Sequence, residues 1–572
     1  MDTKKIKVAL CWHMHQPHYR DGLDGEYRLP WVYLHALKDY TDMAWHIENC
    51  PEAKVVVNFA PVLLEQLEDY GQQMQAWLDS GEPMRDPLLN LVSGVTPIPS
   101  DVEGRLEIVE ACQRAHAPTM INILPHFREL VDMVQCNGAP EGIDNVCISY
   151  LNKQFYTDLL VWYHLSWMGI SLRHEDPRVN KLMAKKRHFD VEDQRILMEI
   201  MADAVSGIIP RYRKLLESGQ IEISMTPYGH PIVPLLIDFK SMRDALPHAP
   251  SPKASEYPDG YERAKWHMQH GLEVYQQHFG TRPKGVWLSE GAVSSAAIGL
   301  LDAFGIKWSA SGEGVWRHSC EVSRIDEHDI HSKKALYQPM QHASQKCALF
   351  FRDDGLSDMI GFRYKDWNPD DAAKDFAQHM KNIANFVDGN AEEHVVSVIL
   401  DGENAWEYYP DNASSFLSAM YKELSEAPHV ELTTFSEALD NGAKPRHLPT
   451  LKAGSWVYGS FSTWIGDPDK NLAWDLLVDV KKVYDKVIKK GKLSAEEVVL
   501  ATEQLAICEG SDWFWWFGDY NPSGSVRDFD RLYRRHLTKL YQMLGEKPPK
   551  ALDSPVSLGG GDMENSGTMR RN

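Results

Sequence analysis

The sequence predicts an α/β fold, a sheet or a barrel, whose seven strands fit an incomplete or seven-stranded (β/α) barrel with a helical insertion, followed by a mostly helical C-terminal region. Seven short apolar runs recur along the first 400 residues: KIKVALCW (5–12), KVVVNF (54–59), IEISMT (221–226), GVWLS (285–289), IKWSA (306–310), CALFFR (347–352) and VVSVIL (395–400). Long amphipathic segments alternate with them. Past about residue 410 the alternation stops and helical patterns follow one another.

The runs are four to eight residues long and bounded by Gly, Pro, Asp or Glu, which suits strands buried on both faces. Between them the periodicity predicts helices over 61–78, 105–135, 191–218, 260–279, 293–304 and 370–388. The interval from 60 to 220 is too long for one crossover, so a helical insertion is assigned to about 100–215, inside a barrel domain spanning 1–415. TTFSEALD (433–440) closes the barrel part, and PRHLPTLKAGSW (445–456) reads as an extended connection. Helices over 468–490, 494–509 and 526–545 make up a C-terminal region, 416–545. The last stretch, 546–572, has little apolar content and is expected to be a disordered tail.

With 60 Lys and Arg against 81 Asp and Glu, the net charge is −21. That argues against nucleic acid and against an anionic membrane surface as partners. The amino terminus has two lysines before an apolar run of only four or five residues, too short for a secretory signal, and no segment approaches a membrane span. Eight scattered Cys, with no C-x-x-C pair, read for the most part as small core residues of a cytoplasmic chain. Composition leaves the oligomeric state open. The 18 Trp stand out, since indole serves both cores and wet concave sites.

The residues at the end of each run carry the sharper signal. The first run leads into His13, His15 and Gln16; the third carries Glu222 and runs on to Thr226, Tyr228 and His230; the fourth ends at Glu290; the sixth at Arg352, Asp353 and Asp354; the seventh at Asp401, Glu403 and Trp406. Barrels build their sites at the carboxyl ends of the strands, so these residues share one rim. A Glu after a strand also serves as a helix cap, and DGE is an ordinary turn, so it is the joint placement that carries weight. Two carboxylates across a cleft are the machinery of glycoside hydrolysis, and a like charge two residues away, as for Asp401 and Glu403, pushes one of them upward. Trp12, Trp287 and Trp406 adjoin the rim and are candidates for sugar stacking or for core packing. The rival chemistry is a metal site on His13 and His15, which a strand projects to one face, completed by a carboxylate such as Asp353.

HMHQP (13–17), GQIEISMTPYGHPIVPLL (219–236), WLSEG (287–291), LDGENAWEYYP (400–410) and EGSDWFWWFGD (509–519) resemble, in that order, blocks of glycoside hydrolase family 57. FSTWIGDPDKNLAWDLL (461–477) is similar to the C-terminal helical part of its amylopullulanase-like members, and LDGENAWEYYP to that branch and the putative α-amylases. The resemblance implies a seven-stranded (β/α) barrel followed by a helical region that completes the cleft, and an enzyme with retaining chemistry on α-glucans, with no cofactor and no metal. By motif position Glu290 would be the nucleophile and Asp401 the general acid/base. His13, His15 and Glu222 would hold the sugar, and Asp512 and Trp513 would reach in from the helical region. His230, Trp287, Asp353 and Trp406 complete the expected substrate-binding set. The expected reaction is hydrolysis of α-1,4 links, with α-1,6 links as a second option, in malto-oligosaccharides or α-glucans. The alternatives are a 4-α-glucanotransferase or branching enzyme and, from another class, an inactive carbohydrate-binding barrel.

Overall fold

A computed structural model describes residues 5–135, 145–387 and 391–561. Among these, the strands are β1 (Ile6–Met14), β2 (Val55–Phe59), β3 (Ile221–Met225), β4 (Trp308–Ser311), β5 (Met340–His342), β6 (Ala348–Phe351), β7 (Val395–Asp401), β8 (Val430–Leu432) and β9 (Arg446–Leu448). All nine residues of β1 are buried, as a central parallel strand requires. It pairs in parallel with β2, β7 and β8, and β2 pairs in parallel with β3. A second sheet runs β4-β6-β5-β9, with β4 and β6 parallel.

The run at 285–289 forms no regular strand, yet it fills its place. Val286 bridges Met225 and Gly285 bridges Trp308, both in parallel, so this segment lies between β3 and β4. A Cβ on Gly285 would fall 1.9 Å from the Trp308 ring, so only glycine allows this approach. On the other side Arg352, just past β6, bridges Ser397 of β7. The parallel segments thus succeed one another in the circular order β1, β2, β3, 285–287, β4, β6, β7, which a seven-stranded barrel requires. β5, β8 and β9 were not expected: each is three residues long, too short to show a period.

The connecting helices include Pro61–Ser80, Val191–Glu217, Gly260–Phe279, Ser295–Ala303 and Pro369–Phe386. Val191–Glu217 starts at a capping box, Asp190 accepting from the Asp193 N–H while the Asp193 side chain accepts from the Asp190 N–H. The single helix expected over 105–135 is instead Val102–Cys112 and Pro125–Val134, separated by a π turn at Ala117–Ile121. Pro118 and Pro125 each lack the N–H a continuous helix would use.

The C-terminal helices are Pro468–Lys490, Ala495–Cys508, Ser511–Trp516 and Ser523–Met543. A buried ion cluster fastens them to the barrel: Glu509 accepts from Arg263 Nη2 (2.7 Å), His267 Nε2 (2.7 Å) and Tyr257 Oη (2.5 Å). Burial alone would raise the Glu509 carboxyl; Arg263 and His267 outweigh it and hold it at about 2. The stretch expected as a tail is packed over its described part: Leu552 and Val556 are buried, and the Val556 N–H donates to Asp530 (2.6 Å). Residues 562–572 lie outside the described residues. Five of the seven described cysteines are buried, and all seven are free thiols. No helix among the described residues is long and apolar enough to cross a membrane.

Candidate active site

His13 and His15 stand on one face at the carboxyl end of β1, where side chains two apart share a side. In register beside His13 lies Asn58 of β2, whose Oδ1 is 2.6 Å from His13 Nδ1 and also accepts from Thr226 Oγ1 at 2.9 Å. The Asn58 amide nitrogen donates to Ser224 of β3 (2.9 Å), which fixes its orientation. His13 Nδ1 therefore carries the proton, and Nε2 is left as an acceptor. It faces His230 Nε2 at 3.2 Å, so His230 donates there and accepts at Nδ1 from the Ser511 hydroxyl, 2.8 Å away. Both rings are neutral: burial, then the neighbouring histidines, lower His13 to about 3 and His230 well below its ordinary value. His230 has a φ of 57° following Gly229 at 67°, and the Ser511 N–H donates to its carbonyl (2.9 Å). The first helical turn of Ser511–Trp516 is thereby joined to the end of β3.

That turn delivers Asp512, whose Oδ1 is 2.9 Å from His15 Nε2, while the His15 ring stacks on His230 with centroids 3.6 Å apart. Nδ1 of His15 is buried and has no partner among the described residues. His15, His230 and Asp512 bring ligand atoms within 4.8 Å of one another, the metal-capable grouping nearest the rim. The two rings are stacked 13° from parallel, so their in-plane lone pairs run side by side and do not converge, a geometry suited to hydrogen bonding more than to a tetrahedral cation.

Glu290 sits in a tight turn at the end of its barrel segment, with φ 60° and ψ 22°, followed by Gly291 at φ 57°. Trp456, from the extended connection, grips it twice: its backbone N–H donates to the Glu290 carbonyl (3.0 Å) and its indole Nε1 to Oε2 (2.8 Å). Burial first, and the Asp401 charge second, push the Glu290 carboxyl up to about 8, with Asp512 adding to it. Asp401 closes β7 in register with His13. Burial raises its carboxyl; a hydrogen bond from Asn404 (2.9 Å) and the charges of His15 and Arg352 oppose this. Glu403 is buried behind them, its Oε1 accepting from the His15 N–H, Gln16 Nε2 and Tyr40 Oη, each at 3.2 Å. Burial and the Asp401 charge raise it well above the usual range, so the push expected from neighbouring like charges falls on Glu403.

Residues 9–452 match the family model described as glycosyl hydrolase family 57. The chain belongs to this family. Among solved structures, it is similar to a family 57 branching enzyme from Thermococcus kodakaraensis (TM-score 0.57, 14% identity, covering 99% of this chain and 98% of that one). It is also similar to an α-amylase from Thermotoga maritima (TM-score 0.55, 13% identity, 96% and 95% covered). A third is a 4-α-glucanotransferase from Thermococcus litoralis (TM-score 0.51, 15% identity, 96% and 61% covered). At these identities the likeness concerns the fold. No curated protein matches the chain in sequence.

Within this family 57 chain, His13, His15, His230, Glu290, Asp401 and Asp512 come together, and others of the expected set do not. Glu222 lies in the first half of β3 and accepts from Trp308 Nε1 (2.6 Å) and Ser436 Oγ (2.7 Å), at the end of the barrel away from the rim. Asp353 accepts from Tyr337 Oη (2.8 Å) and caps the short helix Asp354–Asp358. Trp406 is fully buried, edge-on to Trp12, and donates to the Gly402 carbonyl (2.8 Å). Trp513 donates to the Ile507 carbonyl (2.9 Å) and packs against Tyr533 and His536. Neither indole presents a face to a sugar, because the surrounding core covers its apolar surface. Trp12, buried with its N–H on Tyr421, is likewise a core residue. Trp287 is buried too, but beside the site, 6.3 Å from His13 and 5.2 Å from Trp456 between ring centroids. Sequence reasoning missed Asn58, Ser511 and Trp456. An Asn inside the VVVNF run was a visible signal, since a buried strand tolerates an amide only where it is hydrogen-bonded.

Proposed function

We propose that the chain is a retaining glycosidase cleaving α-1,4-glucosidic bonds, with α-1,6 bonds as a second substrate, in malto-oligosaccharides and α-glucans. The observation that carries this reading is the buried pair Glu290 and Asp401, close enough for one charge to raise the other carboxyl. Two such groups titrate as a unit and hold one proton between them across neutral pH. Retaining hydrolysis uses that state, with one carboxylate and one acid. Asp401 protonates the leaving glycosidic oxygen as Glu290 bonds to the anomeric carbon and the old C–O bond breaks. In the second half Asp401 takes a proton from water, whose oxygen displaces the Glu290 ester. As the glycosyl cation character develops beside Glu290, its anionic form is favoured and the shared proton belongs to Asp401. The free Nδ1 of His15 offers a polar atom to the sugar hydroxyls and Asp512 an acceptor, while His13 and His230, whose nitrogens are engaged with Asn58, Ser511 and each other, hold the His15 ring in place.

The test is product analysis with maltoheptaose and pullulan, combined with azide rescue. Glu290→Ala with azide should release a glycosyl azide of inverted anomeric configuration, and Asp401→Ala one of retained configuration. Exchange of these two outcomes would reverse the roles, and turnover by Glu290→Ala equal to the parent's would end the proposal. A second reading replaces water by a sugar hydroxyl, as the branching enzyme and 4-α-glucanotransferase of the same fold suggest. It is supported if maltoheptaose yields longer or branched chains without a net gain of reducing ends.

A further inference from the structure

Arg352 is among the largest fully buried side chains, 2% exposed, and lies just past the end of β6. A guanidinium is expensive to desolvate, and where it serves packing alone an apolar residue of similar volume does as well. Each of its three nitrogens is engaged. Nε donates to the carbonyl of Ile399 (2.8 Å), two residues before Asp401 on β7. Nη1 and Nη2 reach Asp354 (2.6 Å) and Asp358 (2.9 Å), which hold the fork from its outer side. Its guanidinium carbon lies over the Trp456 ring, 5.7 Å from the centroid.

Trp456 is the residue that holds Glu290 by backbone and side chain. Its indole stands 73° to Trp287 on another side, and its backbone passes so near Gly312 that a Cβ there would lie 2.5 Å from Trp456 Cα. The ring therefore has little room to turn. One cation is thus tied to each side of the carboxyl pair through an intermediary, bonded to the strand that ends in Asp401 and set against the indole that binds Glu290. We propose that Arg352 is a positioning residue for the reaction, setting the relative placement of Glu290 and Asp401 through Trp456 and the β7 backbone.

The inference rests on the glycosidase reading for its kinetic consequences, but its geometry is testable without turnover. The charged groups facing the pair are Asp512 toward Glu290, and His15, Arg352 and Glu403 around Asp401. Removing the one permanent cation leaves the acids less compensated, so the pair should ionise at higher pH. Arg352→Met keeps the volume without the charge; Arg352→Lys keeps the charge without the planar face and fork. Trp456→Phe keeps a ring for Arg352 and removes only the N–H to Glu290.

In full-length protein labelled with fluorotryptophan, the Trp456 resonance, assigned by its loss in Trp456→Phe, should titrate with Glu290. Its midpoint should move upward in Arg352→Met. With maltoheptaose, Arg352→Lys and Trp456→Phe should each lower kcat about 100-fold at nearly constant KM. The double variant should be no worse than the weaker single variant, because both break one path. An unchanged fluorine midpoint in folded Arg352→Met overturns the inference, as do additive losses in the double variant. If the parent lacks glucan activity, the glycosidase reading fails and the fluorine titration still decides this one.

Discussion

Glu290 occupies a left-handed backbone position that disfavours any side chain but glycine by roughly 1–2 kcal/mol, and a glutamate persists there because its carbonyl and carboxylate are both bound by Trp456. Replacing the carboxyl by its amide, Glu290→Gln, or Asp401→Asn, should lower kcat by about 10³-fold or more while the circular dichroism spectrum and Tm stay near the parent's. The pH profile of kcat/KM should be bell-shaped. The active form carries one proton on the pair, so activity falls on the acid side as a second proton binds. On the alkaline side it falls as the last proton leaves, near the value of about 8 set by burial and the Asp401 charge. A flat profile to pH 9 would contradict the shared proton. Trp513→Phe should lower Tm and leave KM for maltoheptaose within about twofold, since the indole is spent on Ile507, Tyr533 and His536. These indoles mark a boundary of sequence reading. Trp12, Trp406 and Trp513 have the same local chemistry as a sugar-stacking Trp, and only the surrounding packing shows that their faces are covered.

The element that organises the site is the segment 285–291, which takes a strand's place in the barrel and then turns sharply. Gly285 lets Trp308 approach, and Gly291, at φ 57°, leaves no space for a side chain: its Cβ would lie 2.8 Å from the Trp287 ring. Gly291→Ala should therefore move Trp287 and the Glu290 turn together, lowering kcat by about tenfold or more along with Tm, a loss measurable against the parent by kinetics and calorimetry. The seven barrel segments were legible because each is a continuous apolar run set between turn residues, and a run buried on both faces needs no other pattern. β5, β8 and β9 were hidden by their length, and the break in the helix expected over 105–135 by an amphipathic period that continues across Pro118 and Pro125. Glu222 was misplaced for a different reason. It belongs to a rim-forming strand, but four residues of rise separate it from Thr226, and the barrel end it faces is set by sheet direction.

At the scale of the whole molecule, the site exists only while the C-terminal helices stay docked, because Ser511 and Asp512 come from them. Glu509 sits next to that segment and is fully enclosed with Arg263, His267 and Tyr257. Glu509→Ala should destabilise the protein by about 3–5 kcal/mol, as expected when one partner of a buried pair is left alone, and denaturant unfolding measures it. The depressed Glu509 carboxyl also gives a pH dependence. Its folded value of about 2 lies below the ordinary 4.5, so its contribution is present above about 4.5 and is lost as pH falls toward 2. The parent should lose stability through that window more steeply than Glu509→Gln, which has no proton to take up there. The amino-acid order alone specifies the barrel sequence of strands, the helical C-terminal region and the rim positions of Glu290, Asp401 and His13, since apolar runs and strand ends are local patterns. Three-dimensional packing was needed to tell which rim residues meet, that Asn58, Ser511 and Trp456 complete the site, and that Glu222, Trp406 and Trp513 belong to the core. Those outcomes depend on contacts between residues as much as 497 positions apart, as between His15 and Asp512, which no local pattern encodes.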